Sequence, residues 1–184
     1  MDCDTDKLIT QYESYKKILK KYFPDPGVDN FLSDFGTRLV TCPRGLTSEE
    51  GGEYGGLLEF SSKVAIKSAE ISKGVCNKES AIRVSLVHEL GKLGMPEYDL
   101  FVEQDSSWHR EKLGQNFKYN DLSEKMSISH RTLYLLQKYK IELTSDEWLA
   151  ILLSQGMHYS ENSFYGNTKS KLASVILFAR DLVK

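Results

Sequence analysis

The sequence predicts a mostly α-helical chain, a helical bundle interrupted by one small β-hairpin. Three observations carry this expectation. Apolar residues recur at helical spacing in several separate segments, one segment alternates with a period of two, and 184 residues suit one compact domain with its own core. There is no internal repeat, low-complexity tract or linker to divide the chain.

The first helix is read from Leu8, Ile9, Tyr12, Tyr15, Ile18, Leu19 and Tyr22, with lysines between them and a stop at Pro24 and Pro26-Gly27. Tyr12, Tyr15 and Tyr22 are expected at the edge of the core, or else on an interaction face. A short apolar piece, Phe31 to Val40, leads into the loop Thr41-Cys42-Pro43-Arg44-Gly45. Gly51, Gly52, Gly55 and Gly56 then permit close backbone approach. Helical period returns from Leu57 through Val64, Ala65, Ser68 and Ile71, and again from Ser80 to Leu90, where Gly91 is a plausible C-cap.

Trp108 to Asn120 alternates on each side of Leu113-Gly114 and reads as the β-hairpin, with Trp108, Phe117 and Tyr119 packing on the helices. Three helices close the chain. One covers Ser127 to Tyr139, and one starts at Thr144, whose spacing to Glu147 is that of a capping box, and ends near Gly156. The last, Lys171 to Val183, carries Leu172, Val175, Ile176, Ala179 and Leu182 on one side.

Composition excludes several classes of partner. A hydrophobic fraction of 40% and a charged fraction of 27% are those of an ordinary globular protein. With 24 basic and 26 acidic residues the formal charge is −2, which gives no overall attraction to nucleic acid or anionic membrane. Nucleic acid is therefore not favoured as a partner. No run approaches the roughly 18–20 apolar residues that span a bilayer, and the opening MDCDTDKLITQYE lacks a signal layout. Cys3, Cys42 and Cys76 are an odd count with no CxxC pair, which speaks against a disulfide scaffold or zinc cluster and fits a reducing cytoplasm.

The chemistry concentrates in His88-Glu89-Leu90-Gly91-Lys92. If the helix continues, His88 and Lys92 share a face beside an acid. Imidazole plus carboxylate can bind a divalent metal, and a lysine can meet a phosphate. The zinc-protease pattern HExxH fails, because its fifth position is Lys92. On spacing alone, a helix-end histidine beside two solvated charges explains the pentapeptide as well.

Glu53-Tyr54-Gly55-Gly56-Leu57-Leu58-Glu59-Phe60-Ser61, followed by Leu86-Val87-His88-Glu89-Leu90-Gly91-Lys92, resembles the HD-domain phosphohydrolases. The branch it is similar to is common in bacteriophages, and reads Gly-Gly-Leu-Leu-x-His-Ser, then an apolar helix, then His-Asp-x-x-Lys. The likeness continues through Trp108-His109-Arg110-Glu111-Lys112-Leu113-Gly114, Tyr119-Asn120, Glu147-x-x-Ala150-Ile151 and Leu172-Ala173. It implies one HD-like domain over 1–184, with 1–40 as an N-terminal helical segment and 41–184 as the core, encoded by a phage and working in the host cytoplasm.

The resemblance also implies where ligands have been lost. The family's first ligand histidine falls on Phe60, and its His-Asp pair falls on His88 and Glu89. Its later histidines fall on Ile128, with His130 nearby, and on Ser154, with His158 one turn on. The closing aspartate falls on Arg180, with Asp181 next. Phenylalanine gives a metal no lone pair, and an inward Arg180 puts a fixed positive charge where the cation would sit.

The leading expectation is thus a catalytically degenerate HD-like protein, without a cofactor, acting as a binding or regulatory partner of a host or viral protein. Its anion-binding candidates are Lys92, Arg180 and His88. An active alternative is a nucleotide phosphohydrolase using manganese or magnesium on His88, Glu89 and Asp181, with His130 and His158 in a rearranged centre and Lys92 on the phosphate. A third expectation is a nucleotide or anion sensor without turnover.

Other signals are weaker. Glu49 and Glu50 read as a solvated loop, with an alternative metal site as the rival. Cys42-Pro43-Arg44 lacks the loop of a cysteine phosphatase. Trp108 to Lys112 with Lys118 mixes rings and cations, which suits either a nucleotide edge or a packed hairpin. His158 and Tyr159 read as surface residues of a polar loop.

Overall fold

A computed structural model describes residues 5–156, 159–165 and 170–184. Among the described residues it holds eight α-helices, three 3-10 turns and one two-stranded antiparallel sheet. The helical bundle with a small β-hairpin is therefore observed. No helix is long and apolar enough to cross a membrane among the described residues.

α1 (Thr5–Tyr22) buries Leu8, Tyr15 and Leu19. Tyr15 lies in the core and its hydroxyl donates to Leu86 O at 2.7 Å, while Tyr12 and Tyr22 pack at the margin. The core-edge reading of these tyrosines holds for the last two. Pro26, expected only to stop α1, opens α2 (Pro26–Thr41). Proline at a first helical position loses no hydrogen bond, and the apolar piece Phe31 to Val40 becomes part of this full helix. Phe31 and Phe35 stack at 5.0 Å, and Tyr139 meets both rings edge-on.

α3 (Gly56–Ile71) and α4 (Lys78–Val87) form an antiparallel hairpin at the centre of the bundle. Small buried hydroxyls let them approach, with Ser68 and Ser85 oxygens 2.7 Å apart. The chain leaves α4 at His88 and runs through a 3-10 turn, Leu90–Leu93. Gly91 is therefore not a C-cap. It sits inside that turn, where a side-chain carbon would stand 2.3 Å from Ile128 O, so glycine is required by close approach rather than by helix termination.

The hairpin is displaced from its expected place. β1 (Phe101–Glu103) pairs with β2 (Phe117–Tyr119), Phe101 opposite Tyr119. Between them α5 (Ser107–Leu113) occupies what was expected to be the first strand. Ser106 caps its first turn by accepting from the His109 amide, and Gly114 closes it in the left-handed region at φ 61°. Of the rings expected to pack, Phe117 is buried, whereas Trp108 and Tyr119 are more than half exposed.

α6 (Ile128–Lys138), α7 (Ser145–Leu153) and α8 (Lys171–Leu182) complete the bundle. Ser127, Thr144 and Ser170 cap them, and the Thr144–Glu147 capping box is present. Glu147 is buried because Arg83 Nε donates to it at 2.8 Å while the same guanidinium ties down the Tyr22 and Glu142 carbonyls.

A second arginine, Arg38 on α2, fastens the irregular stretch after the 3-10 turn. Its Nη1 donates to the carbonyls of Leu93 (3.2 Å) and Tyr98 (3.2 Å) and to Met95, its Nη2 donates to Pro96 O (3.0 Å), and Asp99 pairs with the head. Hydrogen bonds from a charged group are among the stronger kind. Arg38→Ala is expected to lower unfolding free energy by about 2–3 kcal/mol in urea titration, and Arg38→Lys to recover less than half of that, because a point charge cannot serve the same fork of carbonyls.

Candidate functional site

Four segments converge beside the end of α4. α3 supplies Phe60, the turn after α4 supplies His88, Glu89 and Lys92, α8 supplies Arg180, and the loop after α2 supplies Arg44. α6 holds the turn in place: Thr132 Oγ1 accepts from the Gly91 amide at 2.8 Å and donates to His88 O at 3.3 Å. Because α4 ends at Val87, His88 and Lys92 do not continue along one helix face as expected. The turn instead lets Lys92 reach back to Glu89.

Glu89 is fully buried and is the hub. Arg180 Nη1 lies 2.7 Å from its Oε1, Lys92 Nζ 3.0 Å from its Oε2, and Arg44 Nε 3.9 Å from the same oxygen. Three cations thus face one carboxylate, leaving two positive charges in excess. Burial by itself raises the Glu89 carboxyl, but Lys92, Arg180, His88 and Arg44 outweigh it and hold the group well below the usual carboxylate range. Burial also lowers Lys92 and Arg44, with Glu89 opposing it in each case.

Phe60 packs into this charged cluster. The Arg44 guanidinium stacks 3.5 Å from its ring centroid, Arg180 lies 5.4 Å away, and the His88 ring is at 6.1 Å. A ring face that attracts cations helps keep two guanidiniums side by side. His88 is buried, and its Nδ1 lies 2.8 Å from Ser85 O. A carbonyl only accepts, so Nδ1 carries the proton and Nε2 holds a lone pair, which is buried and has no hydrogen-bond partner. Burial first, then Arg180, pushes this imidazole down to about 3, so it is neutral at ordinary pH.

Beside the cluster opens a cleft of about 470 Å³, lined by Arg44, Glu89, Lys92 and Arg180 together with Tyr119, Tyr159, Ile128 and Gln155. Glu49 and Glu50 line it from the exposed rim. Glu50 has a structural task there, accepting from the Leu46 amide at 3.1 Å.

The remaining expected residues fall elsewhere. Asp181 is exposed and paired with Lys184 at 2.5 Å, so it does not join His88 and Glu89. An inward Arg180 puts its helical neighbour on a different face. His130 is exposed, with Nδ1 2.8 Å from the Ser127 hydroxyl. Ser154 is buried and its hydroxyl returns to Ile151 O at 2.8 Å. His158 lies outside the described residues. Cys42 is buried, and desolvation pushes its thiol up to about 12, which removes the thiolate a nucleophile needs.

Two groups were missed by sequence reading. In the sequence Arg44 stands out only beside Cys42, and Tyr119 only as a packing ring and as part of the HD likeness. No local pattern marks either, since both reach the cleft from loops and strands distant in sequence. Comparison of the chain with protein-family models, curated proteins and solved structures finds no match.

Glu89→Gln leaves three cations around a neutral amide and is expected to destabilise by about 3–5 kcal/mol. Adding Arg180→Gln should return part of this, and strict additivity of the two changes would show that the pair is not coupled. An unfolded imidazole protonates near 6.5 and the folded His88 only near 3, so the unfolded state binds more protons between those values. Stability from His88 is complete above pH 6.5 and declines below it, by up to about 1.4 kcal/mol per pH unit. Glu89 adds its own loss only below its unfolded value of 4.5. His88→Leu should therefore flatten the decline between pH 6.5 and 4.5 in denaturant titrations, and an unchanged slope would refute the assignment.

Proposed function

We infer that the protein is a metal-independent binding module of HD-like type whose ligand carries a compact anion, a phosphate or carboxylate group. The observation that supports this reading is the pairing of both Glu89 oxygens with cations, Arg180 on one and Lys92 on the other. A carboxylate so engaged has little left to offer a divalent ion, whereas the two surplus positive charges at the base of an open cleft suit an anion. Phe60 occupies the position that the HD resemblance gives to a ligand histidine, and its ring face holds Arg44 instead.

The role that goes with such a site is regulatory. Without activated water, occupancy of the cleft changes what the protein contacts, and the natural recipient is a protein partner of host or viral origin in a phage-infected cytoplasm. The rival reading, a phosphohydrolase using manganese or magnesium, has less support, because Asp181 and His130 point to solvent away from the His88–Glu89 step.

The test is thermal shift of chelator-treated protein with inorganic phosphate. At tenfold excess over Kd, phosphate should stabilise by about 1.4 kcal/mol. Arg44→Gln, which removes the most exposed of the three cations, should weaken phosphate binding about tenfold. Stoichiometric metal in the purified protein, with nucleotide hydrolysis that His88→Ala abolishes, would replace this reading with the enzymatic one.

A further inference from the structure

Arg131 is the most deeply buried arginine among the described residues, and its charge is unanswered. Arg38, Arg83 and Arg180 each meet a carboxylate, whereas Arg131 donates only to two backbone carbonyls, Gly91 O at 3.3 Å and Glu124 O at 2.8 Å. Its buried Nε has no hydrogen-bond partner among the described residues. Carbonyls satisfy N–H groups but bring no net negative charge, and a buried cation without a counterion is costly.

This side chain lines a cleft of about 470 Å³ that Arg44, Lys92 and Arg180 do not line. Ser127 and Ile128, the cap and first residue of α6, line it too, so the positive end of that helix adds to the guanidinium. Exposed Glu124 and Lys125 also belong to it, and their charges offset one another. Most of the remaining surface is apolar: Leu100 is buried, and Met126 and Ile128 are half-buried. One net positive charge in such a lining matches a singly charged head, and a dianion would leave a negative charge unanswered there. A guanidinium fork also suits the flat geometry of a carboxylate. We propose that this cleft binds an apolar monocarboxylate, its head against Arg131 and the start of α6 and its body along Leu100, Met126 and Ile128. The site is separate from the anion-binding one and stands whether or not phosphate binds there.

Isothermal titration of the full chain with octanoate, octanol and acetate separates head from body. Octanoate should bind at least about tenfold more tightly than octanol, which lacks the charge, and than acetate, which lacks the chain. Met126→Glu leaves the Arg131 hydrogen bonds untouched and sets a second acid in the cleft, so it should abolish octanoate binding. Met126→Leu, which conserves volume, should hold the affinity within about twofold. Octyl phosphate should bind more weakly than octanoate. If octanoate does not bind, if octanol or acetate matches it, if octyl phosphate exceeds it, or if its binding survives Met126→Glu, the monocarboxylate site is overturned.

Discussion

Glu89 is a fully buried charge, and the arrangement of this site follows from how that charge is held. Removing a carboxylate from solvent costs several kcal/mol even after relaxation, and attraction to partners repays it only when those partners are close and fixed. Here they are fixed by four different parts of the chain. Arg180 comes from α8, Lys92 from the turn beyond α4 and Arg44 from the loop after α2, while Phe60 on α3 gives the guanidiniums a surface to lie on. The same ion cluster therefore joins α8, the turn after α4 and the loop after α2.

The proposed preference for an anion over a divalent ion rests on the excess of cations, since two surplus positive charges at the His88–Glu89 step attract the one and repel the other. His88 adds to this asymmetry by staying neutral: its proton is committed to Ser85 O, and Arg180 opposes a second one. The cleft is thus polar beside a neutral imidazole, and its positive charge comes from Arg44, Lys92 and Arg180.

Arginine is used throughout as a fastener. Arg38 gathers the carbonyls of the stretch after Leu93, Arg83 joins α4 to the ends of α1 and α6–α7, and Arg131 binds the Gly91 turn to the segment before α6. Each places a planar fork of donors where irregular backbone has turned its carbonyls inward, so those carbonyls are satisfied without regular secondary structure. The turn carrying His88, Glu89 and Lys92 is irregular for this reason and still well positioned.

Much of the fold could be read from local pattern, because helical period, caps and stops act within a few residues. Leu19, Val64, Ser68 and Ile176 are buried where their spacing puts them, and Ser127, Thr144 and Ser170 start their helices as short polar caps do. The hairpin shows the limit. Strands of three residues leave almost no periodic trace, and the alternation around Leu113 belongs to a helix flanked by Ser106 and Gly114. In the site, the sequence by itself determined that a histidine, a glutamate and a lysine stand together after an apolar helix, with Phe60 ahead of them and Arg180 far behind. Only the tertiary structure decided that Arg180 turns inward and Asp181 outward, that Arg44 crosses to Phe60, and that Lys92 folds back on Glu89. The first two choices depend on groups tens of residues apart meeting in a low-dielectric interior, and the third on where α4 gives way to a tighter turn, which tertiary packing sets.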